Sequence, residues 1–129
     1  MASGTWYFSV RVDAYITYQL NIELARPAQV TVGALGNIRF PAGRYIYTGS
    51  ARRAMEARIQ RHLSASKKCH WHIDYLLALP AAQITRVRRY KMPECRKNQL
   101  TAGEIVAPGF GASDCRHGCG SHLKYLGPL

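Results

Sequence analysis

Apolar runs long enough to cross a bilayer are missing from this sequence, so no membrane span is expected. Its opening residues, Met1-Ala2-Ser3-Gly4-Thr5-Trp6, have neither the charged start nor the apolar stretch of an export leader, and the expectation is a cytoplasmic protein. Acidic residues are scarce. Asp and Glu number 7 against 18 Lys and Arg, a formal charge of +11 and a pI near 10.0. A field of that sign draws polyanions, which makes nucleic acid the leading partner class, with a basic solvated surface or attraction to anionic lipid as the plainer readings. Internal repeats, low-complexity tracts and interdomain linkers are absent too, and 129 residues read as one domain spanning 1–129. The 4 cysteines include no Cys-x2-Cys pair. Ordinary apolar content without a leader favours reduced thiols or a metal site over a disulfide framework.

The elements follow from periodicity. Trp6 to Val12 and Tyr15 to Leu24 are rich in aromatic and β-branched residues. In the second of these, Tyr18, Leu20, Ile22 and Leu24 alternate with Gln19, Asn21 and Glu23, the pattern of a half-buried strand that puts Tyr18 on the core face. Arg26-Pro27-Ala28 breaks it. Extended segments at Gln29 to Val32, Ile38 to Phe40 and Tyr45 to Thr48, with a turn over Gly33 to Asn37, then suggest an antiparallel meander. Helices are expected from about Ala51 to Leu63, from His72 to Leu79 before Pro80, and from Pro93 to Leu100. Ala82 to Tyr90 reads as a short edge strand carrying Arg86, Arg88 and Arg89 into solvent, and His122 to Leu126 as a closing strand.

The chain is organised around Gly43 to Asp74. The strand Tyr45-Ile46-Tyr47 brings a phenol to one end of a sheet, and Gly49-Ser50 turns the chain into a basic helix for which Ser50 is the expected N-cap. Ala51, Met55, Ile59 and Leu63 form an apolar stripe, with Arg58 and His62 one turn apart beside it. A phenol, a guanidinium and an imidazole can therefore share one cleft.

At Tyr47-Thr48-Gly49-Ser50-Ala51 followed by Arg58-Ile59-Gln60-Arg61-His62, the sequence resembles the GIY-YIG nuclease superfamily. The longer strings Gly43 to Ala51, Arg61-His62-Leu63, His70 to Leu76, Glu94-Cys95, Gly109 to Cys115 and Ser121-His122-Leu123 look like a small uncharacterised family within it, whose members occur alone or joined to endonuclease III. The resemblance runs from about Tyr18 to Leu126. It implies an α+β fold with a small antiparallel sheet of about three to five strands flanked by helices. It also implies a metal-dependent endonuclease acting on DNA, with a link to base-excision repair through the fusion. Ile16-Thr17-Tyr18 stands where the superfamily has Gly-Ile-Tyr, so the tyrosine is kept and the glycine is not. Tyr47-Thr48-Gly49 matches the second motif, Arg58 the arginine, His62 the histidine of the same helix, and Glu94 the ligand of a Mg²⁺ or Mn²⁺ ion. The superfamily's late asparagine has no evident counterpart, and Asp114 or His122 are the residues that can stand in for it.

Phosphodiester hydrolysis needs water deprotonated, phosphoryl charge neutralised and a leaving oxygen stabilised. Tyr18 or Tyr47 as base would need its phenol pKa lowered by a cation such as Arg58, whose fork of donors also suits a non-bridging oxygen. Glu94 would hold a hydrated divalent ion. Arg52, Arg53, Arg61, Lys67 and Lys68, continued by Arg86, Arg88, Arg89 and Lys91, form a track for phosphates that gives affinity without sequence preference. Trp6, Tyr7, Trp71 and Tyr75 can stack on bases where exposed, although tryptophan more often belongs to the core. His70, His72 and Asp74, with Asp114 and His122, form a candidate supporting cluster around the cleft. Finally, Cys115-x3-Cys119-x2-His122 offers three ligands for a structural zinc, with Cys69 or Cys95 as the fourth. Against the nuclease stand two alternatives, a non-catalytic nucleic-acid-binding module on the same scaffold and a zinc-stabilised interaction domain.

Overall fold

The computed structural model describes residues 15–64, 68–113 and 115–129. The strand expected at Trp6 to Val12, and the roles assigned to Trp6, Tyr7, Lys67 and Asp114, fall outside the described residues. In chain order the elements are β1 (Thr17–Leu24), β2 (Ala28–Thr31), a 3-10 turn (Gly33–Leu35), β3 (Asn37–Phe40), β4 (Gly43–Ser50), α1 (Met55–Leu63), α2 (His72–Leu77), β5 (Ala82–Tyr90), α3 (Glu94–Leu100) and β6 (Leu123–Gly127). The fold is α+β, a small antiparallel sheet with helices around it.

Its four-stranded sheet has the order β5-β1-β4-β6, while β2 and β3 pair only with each other. The expected meander is thereby corrected, because β1 skips β2 and β3 and pairs along its whole length with β4, from Thr17 opposite Ser50 to Leu24 opposite Gly43. Side-chain matching explains the choice. Leu20 faces Tyr47 and Ile22 faces Tyr45, all four buried, whereas β2 and β3 are four residues each and expose every second side chain.

The half-buried reading of β1 is also corrected. Gln19, on the face opposite Tyr18, is buried as well, and its amide donates to Thr48 Oγ1 at 3.0 Å and Thr101 Oγ1 at 2.8 Å. On the same face Lys124 Nζ donates to the carbonyls of Asn98 and Thr101, at 2.9 and 2.8 Å. Helix α3 packs on β1 and β4 there, so this layer is polar but hydrogen-bonded, which is the condition for burying it. The apolar face carries the core: Leu20, Ile22, Leu24, Phe40, Tyr45, Ile59, Ile73, Leu76 and Phe110, each nearly inaccessible. Burying a side chain of this size stabilises the fold by about 1.5–3 kcal/mol.

Helix α1 begins four residues later than the sequence suggested, and Ser50 is not its N-cap. The backbone N–H of Ala51 still bonds to Ile16 O at 3.0 Å, so the chain remains strand-like past Ser50, then turns through Ala54 in the left-handed region (φ 52°) before Met55. The apolar stripe is shorter in consequence. Ala51 lies outside the helix, Ile59 is buried, and Leu63 is exposed. Helix α2 ends at Leu77 rather than Leu79. Strand β5 is at the sheet edge as expected, with Arg86 and Arg88 exposed, but it is nine residues long and its Arg89 forms a two-bond ion pair with Glu56 of α1, both contacts 2.7 Å. No helix among the described residues is long and apolar enough to cross a membrane.

Candidate active site and metal centre

A cleft of about 470 Å³ opens where the ends of β1 and β4 meet α1, the start of α2, the start of α3 and the loop before β6. Tyr18, Tyr47, Arg58, His72, Glu94 and His122 all line it, residues drawn from across 105 positions of sequence, as do Trp71, Cys95 and Cys115.

The tyrosine wall comes from the sheet. Tyr18 is opposite Gly49 on the neighbouring strand, and its ring lies across that glycine so closely that a Cβ there would sit 2.6 Å from the phenol oxygen. The glycine of the Tyr-x-Gly motif is thus required by close approach. Gly111 does the same for Tyr47: its φ of +67° favours glycine, and a Cβ would come within 2.9 Å of the Tyr47 ring. Tyr18 is 2 % exposed and its hydroxyl is 2.6 Å from Nε2 of His62, which lies beneath the cleft on α1. Burial pushes the Tyr18 phenol well above its ordinary pKa, outweighing the opposing pull of Arg58. Burial raises Tyr47 in the same way, again against Arg58. The expected lowering of a tyrosine pKa does not occur, since desolvation of a phenolate outweighs one partly exposed cation.

Arg58 donates from Nη1 to Ser50 O at 2.7 Å and stacks on Trp71, 4.7 Å from the ring centroid. Among the described residues it has no carboxylate partner, and beyond Ser50 O its guanidinium lies within hydrogen-bonding influence of the Tyr18 hydroxyl. Arg61 differs. Its Nη1 bonds to Asp74 at 2.8 Å, its Nη2 to Lys68 O at 2.9 Å, and it stacks on the same tryptophan at 4.5 Å. Arg61 is therefore a buttress rather than a member of the exposed phosphate track, to which Arg52, Arg53 and Lys68 still belong as exposed cations. Asp74 is fully buried and also accepts the backbone N–H groups of His70 and Trp71, both at 2.8 Å, capping the start of α2. Burial works against its ionisation, but Arg61 and the two N–H groups prevail and hold the carboxyl below its ordinary pKa.

The expected His70, His72 and Asp74 cluster does not form through its imidazoles. His70 is exposed, its ring edge-on to Trp71, and only its backbone N–H reaches Asp74. The His72 ring instead turns to the loop before β6, where Nδ1 accepts the Gly111 N–H at 2.8 Å. Burial lowers the pKa of His72. The part played by Trp71 as the platform for two guanidiniums was not read from the sequence. Its only signal there is a tryptophan between Arg58-x2-Arg61 and the asparate-bearing helix that follows.

The opposite wall is a cysteine and histidine cluster. Cys95, Cys115, Cys119 and His122 bring their ligand atoms within 4.8 Å of one another, with Cys95 Sγ 3.5 Å from Cys115 Sγ and 3.9 Å from His122 Nε2. Cys95 fills the fourth place, and Cys69 does not join the cluster. Two sulfurs at tetrahedral angles on one zinc, each about 2.3 Å from it, stand roughly 3.8 Å apart, close to the spacing seen. A disulfide needs about 2.05 Å, and all four cysteines are free. This cluster can hold a metal ion. The backbone N–H groups of His117 and Cys119 help pull Cys115 down to about 6, whereas burial and the neighbouring thiols push Cys95 up to about 12. His122 is 2 % exposed, and its Nδ1 meets Glu94 Oε2 at 2.7 Å. Burial opposes protonation of this ring, but Glu94 and Cys115 carry it up to about 9. Glu94 is thus tied through His122 to the cysteines, a connection that the sequence did not reveal.

No curated protein and no solved structure matches the chain. A family model does match, over residues 17–128, from the first residue of β1 to the last residue but one, and takes in both walls of the cleft. The chain therefore belongs to the family described as Domain of unknown function DUF123.

Proposed function

We propose that this protein is a metal-dependent phosphodiester hydrolase of the endonuclease type, acting on nucleic acid and on DNA in the first instance. The observation that carries the reading is the convergence of Tyr18, Tyr47, Arg58 and Glu94 on one cleft. The resemblance to the GIY-YIG nucleases supports it, and with it the choice of DNA and the link to base-excision repair. A charge of +11 and the exposed Arg52, Arg53, Lys68, Arg86 and Arg88 suit a polyanionic substrate.

Tyr18 and His62 act as a pair. As the phenol oxygen takes a proton from the attacking water, its own proton passes to His62 Nε2, so no free phenolate need exist in the resting protein. The water oxygen forms its bond to phosphorus while the bond to the leaving oxygen breaks. Arg58, steadied by Ser50 O and Trp71, pairs with a non-bridging oxygen. Glu94 has one oxygen on His122 and one left for a Mg²⁺ or Mn²⁺ ion, a fit for a cation that takes one carboxylate and keeps its waters. Bound there, such an ion would supply Lewis-acid neutralisation of phosphoryl and leaving oxygens.

The Cys95, Cys115, Cys119 and His122 set fits Zn²⁺, and four protein ligands make a closed, structural site. Were His122 to hold that ion through Nε2, its Nδ1–H would donate to Glu94, the usual carboxylate support of a metal-bound histidine. Metal analysis of purified protein is expected to find one zinc per chain, and none would remove this assignment.

Supercoiled, branched and single-stranded DNA incubated with Mg²⁺ or Mn²⁺ tests the activity. Native protein is expected to nick at least one substrate, and Arg58→Ala to lose on the order of 10³-fold in rate with its melting temperature unchanged. Equal nicking by the variant would sink the hydrolase. The burial of both tyrosines, with phenols that resist ionisation, favours a second reading, a nucleic-acid-binding module without turnover. That reading expects salt-sensitive DNA binding and no metal-dependent nicking.

A further inference from the structure

His72 enters the cleft beside Tyr18, Tyr47 and Arg58, yet nothing in the scheme above uses it. Its environment fixes its chemistry. The Gly111 N–H can only donate, so Nδ1, 2.8 Å away, must present its lone pair, and the ring proton must be on Nε2. A second proton at Nδ1 would set two N–H groups against each other, so the same contact holds the ring neutral. Ring and loop are both constrained. The imidazole packs on Phe110 at a centroid distance of 5.7 Å, and Gly111 is pinned against Tyr47, where no larger residue fits. With Nδ1 committed to Gly111, Nε2–H is the one polar group the ring has left; His72 lines the cleft, and no hydrogen bond among the described residues uses Nε2.

We propose that His72 is a fixed, neutral hydrogen-bond donor to a non-bridging oxygen of the bound phosphodiester, locked as the Nε2–H tautomer by Gly111; this rests on the hydrolase reading above. The tautomer excludes two other roles. Nε2 already carries a proton and cannot act as base, and a neutral imidazole is too weak an acid to protonate a leaving oxygen. What remains is polarisation by a preorganised neutral donor, for which a histidine buried and oriented by backbone is well suited. The three internal imidazoles then differ by partner: His62 faces a phenol, His122 a carboxylate and thiols, His72 a backbone amide.

Ring-nitrogen NMR of the full chain in a chelator that spares the cysteine site gives the first test, with a short DNA duplex as probe. The His72 ring is expected to show the Nε2–H tautomer unchanged over about pH 5 to 8, and its Nε2–H resonance to shift when duplex is added. An Nδ1–H tautomer, a titration near the ordinary value, or no shift with bound duplex would overturn the proposal. This arm does not need turnover, so it stays decisive if the nicking assay finds none. Where nicking is found, His72→Asn keeps an acceptor for Gly111 but cannot reach the phosphate, and is expected to lose on the order of 10²-fold in kcat with a native melting temperature. His72→Gln, whose amide reaches the Nε2 position, is expected to recover part of that rate without changing the pH profile. Native rates from His72→Asn would also overturn it.

Discussion

The two walls of the cleft are built by different means. Tyr18, Tyr47, Arg58 and His62 project from β1, β4 and α1, elements whose backbones are fixed by ladder and helix bonds and whose side chains lock each other in place. Cys115, Cys119 and His122 come instead from the segment before β6, where Gly118 and Gly120 take positive φ and few backbone bonds hold the chain. One wall is held by packing that folding supplies anyway. The other brings three thiols and an imidazole close enough to hold a metal ion, and under the zinc assignment proposed above that ion would supply rigidity there, much as in small metal domains. Packing alone accounts for one wall, whereas the other carries a cluster that can hold a metal ion.

Under the zinc assignment proposed above, removing the metal is the strongest way to expose that contrast. A chelator is expected to cost about 4 kcal/mol in stability for metal at a thousandfold excess over its dissociation constant. Amide exchange should accelerate first over 115–122, while protection in β1 and β4 persists. Uniform acceleration in both walls would break the comparison.

Asp74→Ala attacks the other wall. It leaves Arg61 and two backbone N–H groups without their acceptor at a buried position, and the expected loss is about 3 kcal/mol. The same carboxyl gives the native protein an acid limb. Its folded pKa is depressed, so its contribution is present above the ordinary carboxylate value near ~3.9 and is lost as pH falls through the folded value. Thermal melting across that range should show less acid sensitivity in Asp74→Asn than in native protein. An identical acid limb in the variant would mean that another carboxyl is responsible.

Gly49→Ala is a smaller change that sharpens the argument for packing. A Cβ 2.6 Å from the Tyr18 hydroxyl must displace that ring, at an expected cost of about 2 kcal/mol. The Tyr18 to His62 hydrogen bond should loosen, visible as a shifted ring-nitrogen signal of His62, with zinc content unaffected. Loss of zinc in this variant would show the walls to be one cooperative unit.

Periodicity placed the strands and helices within a few residues, because each needs one face turned to the core and the sequence alternates accordingly. It misjudged β1, where Gln19 looks like a solvent residue until α3 is laid over it. It also started α1 too early, since nothing local says that Ala51 is still paired to Ile16. Within the site, the grouping of a phenol, a guanidinium and an imidazole, Tyr47, Arg58 and His62, was legible from strand and helix periodicity, while Tyr18 and Glu94 were singled out only by the resemblance to the GIY-YIG nucleases. The engagement of Arg61 by Asp74, the platform at Trp71 and the Glu94 to His122 contact were not, because they join residues 13, 10 and 28 positions apart through side-chain geometry that no local pattern encodes.

By itself the sequence determined the charge, the set of elements and the chemical groups available, all of which follow from composition and short-range order. Only the tertiary structure decided which groups meet. It chose Cys95 over Cys69 as the fourth member of the cysteine and histidine cluster, turned His72 to Gly111 instead of Asp74, and left Arg58 rather than Arg61 without a carboxylate. The physical reason is that proximity across the cleft depends on how β1, α1, α3 and the segment before β6 pack together, and a difference of a few ångströms in that packing decides whether a polar side chain is a support, a ligand or a free donor.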